Sequence, residues 1–188
     1  MWCHPNVFYP HSDTILLANS VKTKKTDKIL ETCAGTGYIS IKLAKKVKEI
    51  TIADISKHAV KNINKNIELH NLKTKAKAIK CNLIPQEKYD IIVINPPYTN
   101  HTAKNVVEKS VWDKDNNTTI KFLKIAKTHL RKNGRIYLSW GKFANYDFIE
   151  KQSKNHKYKI KIVNEIKNYR IYLLTPHQKS KKQKPTNK

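Results

Sequence analysis

Short apolar runs alternate with amphipathic segments along most of the chain. The runs rich in β-branched and aliphatic residues predict strands at 28–32, 49–53, 75–80, 91–94 and 135–140. Around them, apolar residues recur at a helical period, which predicts helices at 14–21, 38–46, 57–71, 118–130 and 146–156. Strands that alternate with helices indicate a parallel sheet with helices packed on its faces.

The last third of the chain changes pattern. Two strand-like runs, 158–163 and 170–174, are close enough in sequence to form an antiparallel pair. The predicted fold class is therefore α/β: a three-layer, doubly wound sheet of seven strands, mostly parallel, with a C-terminal antiparallel hairpin.

The ends of the predicted elements carry turn and capping signals. Ser12 or Asp13 is expected to cap the first helix, and Asn133-Gly134 to close the fourth. The polar stretch 99–117 is too long for a plain connector, so we expect it to form part of a substrate mouth.

A length of 188 residues suits one α/β domain. We expect this domain to cover residues 1–176, with an irregular arm at 1–14. Residues 177–188 are rich in lysine and lack apolar side chains, which predicts a basic disordered tail. A tail that contacts RNA or directs nuclear import remains an alternative.

The fourth predicted strand runs into the proline-stiffened corner Asn95-Pro96-Pro97-Tyr98. The prolines forbid continuation of the strand, which leaves the Asn95 side chain and the Pro96 carbonyl facing whatever lies beyond it. Two such acceptors can grip both hydrogens of a planar NH₂ group and raise the electron density on its nitrogen. The Tyr98 ring could then lie against the flat face of the target. A surface turn without chemistry is the alternative.

Two of the four glycines, Gly35 and Gly37, lie between the first strand and the next helix. A glycine pair in that position favours close approach of the backbone to a ligand, although a tight turn with nothing bound is an alternative. Asp54 ends the second strand, where a carboxylate can bind two ribose hydroxyls or cap the helix that begins near Ser56. Asn82, after the third strand, could meet an adenine edge or be a polar loop residue.

The net charge of the chain says less about its function than the motifs do. The formal charge is +24, but Arg131, Arg135 and Arg170 are the only arginines among 38 basic residues, and specific nucleic-acid contacts favour arginine. The charge is thus weak support for an RNA partner.

The three cysteines form no CxxC pair, so we expect neither a disulfide nor a metal site. No apolar stretch is long enough to span a membrane, and we expect a soluble, cytoplasmic protein.

In a doubly wound sheet, ligands bind at the carboxyl ends of the strands near the topological switch. The glycine turn, Asp54 and the Asn95-Pro96-Pro97-Tyr98 corner would then meet at one crevice. A dinucleotide fingerprint would place a third glycine where Ser40 stands. Recognition of an adenosyl group beside a corner that grips an amine indicates methyl transfer.

On these residues the chain, from about residue 7 to 174, resembles the class I S-adenosylmethionine-dependent methyltransferases, which have a Rossmann-like fold. The segment 31–37, Glu-Thr-Cys-Ala-Gly-Thr-Gly, is similar to their first motif, and Asp54 matches their ribose-binding acid. Asn95-Pro96-Pro97-Tyr98 is similar to the motif of the branch that methylates amino groups.

More narrowly, the chain resembles the HemK-type glutamine methyltransferases of translation release factors, in their short archaeal and eukaryotic form. The arm at 9–14 is similar to that form's Tyr-x-Pro-Ser-x-Asp-Thr, which implies that Thr14 approaches the methionine end of the cofactor. The resemblance implies that the catalytic residues are Asn95, Pro96, Pro97 and Tyr98. It implies that S-adenosylmethionine is bound by Thr14, Glu31, Cys33, Ala34, Gly35, Gly37, Asp54, Ile55, Asn82 and Asn95.

The implied reaction is in-line displacement at the sulfonium methyl by the nitrogen of a glutamine side chain in a release factor. The implied partners are that release factor and a small zinc-binding activator subunit, and contact with RNA stays open. The alternatives are methylation of an exocyclic base amine in RNA, DNA adenine methylation, and a non-catalytic protein that binds the cofactor.

Overall fold

Seven strands form one mixed sheet in the computed structural model of the chain, which describes residues 1–105 and 108–177. The strands are β1 (Lys28–Thr32), β2 (Glu49–Asp54), β3 (Ala76–Lys80), β4 (Tyr89–Ile94), β5 (Leu130–Gly141), β6 (Tyr158–Ile166) and β7 (Tyr169–Pro176). Their spatial order is β3-β2-β1-β4-β5-β7-β6, and β7 runs antiparallel to both of its neighbours. The predicted fold class is confirmed. The predicted tail lies outside the described residues, apart from His177.

In the described part of the chain, five α-helices pack on the two faces of the sheet. They are α1 (Ser12–Ser20), α2 (Tyr38–Leu43), α3 (Lys57–Leu69), α4 (Asn117–Ala126) and α5 (Tyr146–Asn155). The first three share one apolar cluster with one face of the sheet, and the last two share a second cluster with the other face. None of the helices described is long and apolar enough to cross a membrane.

The central strand β4 shows why both faces need cover. Side chains alternate between the faces of a strand, so Ile91 and Val93 join the first cluster while Ile92 and Ile94 join the second. All four are fully buried, which confirms the prediction of a strand with two buried faces. β4 therefore holds the corner that follows it in a fixed place.

The predicted boundary between α4 and β5 is wrong. α4 ends at Ala126, and β5 begins at Leu130 rather than at 135. Leu130 already pairs with Tyr89, and the register then shifts before β4 and β5 resume regular pairing. Asn133-Gly134 lies within this irregularity rather than closing the helix, and a Cβ on Gly134 would stand 2.9 Å from the Arg131 carbonyl oxygen.

The predicted cap of α1 is also wrong. The helix begins at Ser12 after His11, without a capping bond from a side chain. Asp13 is buried within the first turn, and its carboxylate bonds groups from another part of the chain. A long-range contact has overridden the local preference of aspartate for a cap.

Candidate active site

The carboxyl ends of β1, β2 and β4 open into one cavity of about 750 Å³. That volume lies in the range of small-molecule sites. The cavity wall includes every residue predicted for the site apart from Gly37: Thr14, Glu31, Cys33, Ala34, Gly35, Asp54, Ile55, Asn82, Asn95, Pro96, Pro97 and Tyr98.

The glycine turn shapes one wall through its backbone. Cys33, Gly35 and Gly37 all have positive φ values, of 54°, 53° and 74°. Gly37 precedes α2 and lies behind the wall, where a Cβ would stand 3.3 Å from Cγ1 of Ile63. Gly37 therefore matters in two ways: its backbone has a positive φ, and it packs closely against Ile63. A residue with a side chain would be strained in that conformation.

Glu31 is a buried carboxyl group on this wall. Its Oε2 accepts a hydrogen bond of 2.7 Å from the backbone N–H of Ser40, the residue that stands at the third glycine position of a dinucleotide fingerprint. Desolvation by burial nevertheless raises the pKa of Glu31 to about 7, because no basic side chain in the described part of the chain forms an ion pair with it.

Asp54 joins the glycine turn to the start of α3. Its Oδ2 accepts a bond of 2.9 Å from the Gly35 N–H, and its Oδ1 accepts one of 2.9 Å from the Ser56 N–H. The cap of α3 is the Ser56 side chain, which accepts from the Ala59 N–H. Burial raises the pKa of Asp54. Asp54 thus lies on the cavity wall and is not the N-cap residue of the helix.

The Asn95 amide is held by its nitrogen. Nδ2 donates to Asp13 Oδ2 at 2.9 Å and to Thr14 Oγ1 at 3.1 Å. An ionised carboxylate can only accept, so Asp13 requires the NH₂ end of the amide and determines which way the amide points. Asn95 Oδ1 is buried and has no hydrogen-bond partner among the described residues. The oxygen is thus left as a free acceptor on a side chain that lines the cavity.

Tyr98 stabilises this arrangement from the other side. Its hydroxyl donates to Asp13 Oδ2 at 2.7 Å, and burial raises its pKa, with the Asp13 charge adding to the effect. The ring packs against Trp140 and Phe143, at centroid distances of 5.4 and 5.6 Å. Tyr98 is only 7% exposed, so most of its ring surface contacts the protein itself and little is left to lie against a target.

Asp13 is the residue that sequence reasoning missed. It is 5% exposed and accepts from Asn95, Tyr98 and the Thr14 N–H. The arm motif that predicts a role for its neighbour Thr14 also contains this aspartate, so the sequence does carry a signal for Asp13. The remaining missed residues include Val7 and Phe8 of the arm and Phe143 after β5.

Although the protein is strongly basic, the described part of the cavity wall contains three acidic residues. Asp13, Glu31 and Asp54 line it, and none of them forms an ion pair among the described residues. Buried carboxylates without a cationic partner are costly, and they are typical of a site that receives one. Lys57, Lys80 and Lys109 also line the cavity but are exposed to solvent. The buried acids therefore fit a positively charged group of a ligand.

Comparison with known proteins gives the family. Residues 2–173 match the methyltransferase small domain family. A release factor glutamine methyltransferase of Borreliella burgdorferi is 31% identical over 171 residues, which cover 80% of this chain and 60% of that protein. The chain spans between 49% and 60% of the length of three curated relatives, this one included.

Two solved structures share the fold. The Mtq2–Trm112 complex of E. cuniculi, described as responsible for methylation of the eRF1 translation termination factor, has a TM-score of 0.70 at 16% identity, over 91% of this chain and 99% of that one. The 16S rRNA N2 G1207 methyltransferase of T. thermophilus, solved with AdoMet and guanosine, has a TM-score of 0.71 at 19% identity, over 89% of this chain and 44% of that one. The chain belongs to the methyltransferase small domain family, as its motifs predicted.

Proposed function

We propose that the protein is an S-adenosylmethionine-dependent N-methyltransferase that modifies the side-chain amide of a glutamine in a translation release factor. The main support is the Oδ1 atom of Asn95, which is buried and has no hydrogen-bond partner among the described residues, on a residue that lines the cavity. A buried acceptor left without a partner is costly, so its retention favours a ligand that donates to it. An amide NH₂ is such a donor.

The residues present fit the cofactor. S-adenosylmethionine carries an ammonium and a sulfonium group, and the cavity supplies three carboxyl groups without a cationic partner in the described chain. Glu31 and the glycine turn would hold the methionine part, and Asp54, Ile55 and Asn82 the adenosine part. Ile55 is 64% exposed, so it offers an apolar surface against which an adenine ring can lie.

When bound, S-adenosylmethionine supplies an electrophilic methyl group. The role of the protein is to position the nucleophile, which is the nitrogen of the substrate amide. Asn95 Oδ1 and the Pro96 carbonyl would accept the two hydrogens of the substrate amide, orient its nitrogen and stabilise the positive charge that develops there. Asp13, Thr14 and Tyr98 keep the Asn95 amide in that orientation. No general base is needed before attack, and the proton leaves the nitrogen for water after the methyl group has been transferred.

A release factor as the substrate is supported by the relatives that carry that name and cover most of this chain. The wall beside Asn95 is aromatic: Tyr98, Phe143 and Tyr169 all line the cavity. Phe143 is 61% exposed and lies 6.1 Å from Tyr169, centroid to centroid. An exposed ring at the mouth suits a flat peptide backbone on either side of the target glutamine.

We also infer an activator subunit, because the E. cuniculi protein with this fold is described as a complex with Trm112. Zinc binding by such a subunit, and any contact with RNA, stay predictions. Purification of the chain with and without a candidate activator, followed by comparison of methyl transfer by each sample, tests the need for it.

The function is tested by transfer of labelled methyl from S-adenosylmethionine to purified release factor, with ribosomal RNA offered in parallel. We expect label on a glutamine of the release factor. Asn95→Ala should lower kcat by at least about 100-fold, the size of effect seen on loss of an oriented group that stabilises charge.

The cofactor affinity of Asn95→Ala, measured by calorimetry, is the control for that variant and should stay within a few-fold of the wild-type value. Label on RNA instead of the release factor would overturn the proposal that a release factor is the substrate. A kcat close to that of the wild type would remove Asn95 from the reaction.

Glu31 gives a prediction about pH. Its pKa is about 7 in the folded chain against an ordinary 4.5, so between these values the folded chain keeps a proton that the unfolded chain has lost. Stability contributed by this group therefore falls as pH rises from about 4.5 to 7 and stays low above it. Glu31→Gln stays neutral and can still accept the Ser40 N–H.

Without cofactor, the advantage of Glu31→Gln in free energy of unfolding should thus be greater at pH 8 than at pH 5, by about 2–3 kcal/mol. Saturating S-adenosylmethionine at pH 8 should stabilise the wild type more than the variant, because only the wild type can pair with the ammonium group. Denaturant titrations at the two pH values measure both effects. An advantage that does not change with pH would show that Glu31 ionises freely.

Phe143 gives a prediction about the substrate. Phe143→Ala should raise KM for the release factor roughly three- to tenfold, the loss expected for one aromatic contact, with KM for S-adenosylmethionine unchanged. Leu69→Ala is the matched control, since Leu69 is an exposed apolar residue of α3 that does not line the cavity. Equal effects of the two variants, or a change confined to the cofactor, would rule out a substrate contact at Phe143.

A further inference from the structure

Two buried asparagines on α3 lie outside the cavity wall. Asn62 and Asn66 are fully buried, one turn apart on the same face of the helix. Asparagine is seldom fully buried unless its amide is hydrogen-bonded. Neither residue is among those that line the cavity, so neither contacts a ligand there.

Both side chains bind the N-terminal arm. Asn66 forms a pair of bonds with the backbone of Trp2: its Oδ1 accepts from the Trp2 N–H at 2.8 Å, and its Nδ2 donates to the Trp2 carbonyl at 2.9 Å. Asn62 Oδ1 accepts from the His4 N–H at 2.7 Å. The rings of His4 and His58 lie 4.9 Å apart, which adds a contact between the arm and α3. An arm without regular secondary structure is thus attached to a helix.

The same two side chains bind the glycine turn. The Thr36 carbonyl accepts from Asn62 Nδ2 at 3.2 Å and from Asn66 Nδ2 at 3.0 Å. Ile63, between them in sequence, packs beneath Gly37. One face of α3 therefore holds the arm and the glycine turn at once.

These two segments form facing parts of the cavity. Beyond the attachment at Trp2 and His4, the arm residues 6–11 line it, and the arm is attached again at Asp13. A Cβ on Gly35 would lie 3.9 Å from the Phe8 carbonyl oxygen and from the Val7 side chain. The arm hence lies directly over the turn, and the spacing between them determines the shape of the space that a ligand enters.

We propose that Asn62 and Asn66 form a clamp that ties the arm to the glycine turn. The two clamp residues are positioning residues that set the affinity for the cofactor without touching it. This inference rests on the proposed cofactor. Loss of either amide leaves backbone groups of the arm without their partner and removes one of the two bonds to the Thr36 carbonyl, so that the arm is held less firmly to the turn. The cofactor then has to order the arm when it binds, and the free energy that this costs weakens binding.

The test compares four variants of the full chain. Asn66→Leu removes three bonds, and Asn62→Ala removes two and serves as the second variant if Asn66→Leu does not fold. Asn64→Ala is the matched control, because Asn64 is an exposed asparagine of the same helix. Ile67→Ala is a control for stability alone, since Ile67 is buried in α3 and bears no hydrogen bond to the arm.

Two readouts are needed. Calorimetric titration with S-adenosylmethionine should show an affinity about tenfold weaker for Asn66→Leu and several-fold weaker for Asn62→Ala, with changes below about twofold for both controls. Chymotrypsin should cut the bond between Phe8 and Tyr9, which are 39% and 60% exposed, faster in the two clamp variants than in either control. All measurements are made well below the melting temperature of every variant.

Wild-type affinity and wild-type cleavage in the folded clamp variants would overturn the proposal. So would an affinity loss in Ile67→Ala equal to that in Asn66→Leu, since the effect would then be one of stability. A wild-type chain that binds no S-adenosylmethionine would overturn the proposed function instead, and the cleavage rates would still decide whether the clamp holds the arm.

Discussion

The structure depends on one buried carboxylate that has no basic partner among the described residues. Asp13 receives hydrogen bonds from the Asn95 amide, the Tyr98 hydroxyl and the Thr14 N–H, across 82 and 85 residues in the first two cases. A carboxylate in that position is stabilised only while all its donors are in place. The bonds therefore tie the start of α1 to the corner after β4, and they leave Asn95 Oδ1 without a partner among residues 1–105 and 108–177.

A second constraint comes from the distribution of charge. The chain carries a formal charge of +24, yet its cavity is lined by carboxyl groups that form no ion pair among the described residues. Paired acids, such as Asp27 and Asp90, lie elsewhere. Basic composition therefore says little about the ligand, because the acids of the cavity wall are at least partly buried, whereas its lysines, Lys57, Lys80 and Lys109, are exposed to solvent. A cationic cofactor would relieve the cost of burying these groups, so that binding and stability are coupled.

Much of the fold could be predicted because its signals are local. β-branched runs identified the strands, and the prolines after Asn95 identified the end of the central one. The residues of the candidate site follow strand ends or lie in the glycine turn, so the topology of a parallel sheet was enough to bring most of them together.

The features that the sequence does not predict depend on contacts between residues far apart in the chain. Asp13 has the sequence context of a helix cap, and Asn62 and Asn66 have that of polar residues on an amphipathic helix. Each is buried only because a segment far away in sequence supplies its hydrogen bonds. Likewise, Asn133-Gly134 reads as a helix end, whereas the observed early pairing of Leu130 with Tyr89 turns it into a strand irregularity. Periodicity carries no information about such partners.

In the proposed reaction, Asp13 acts through the Asn95 amide. A double-mutant cycle on kcat at saturating cofactor tests this role, with Asp13→Ala, Asn95→Ala and the double variant assayed for methyl transfer to release factor. If Asp13 serves to orient Asn95, each single change lowers kcat and the double variant is no slower than Asn95→Ala alone. Losses that multiply in the double variant would show that the two residues act independently, which contradicts the account.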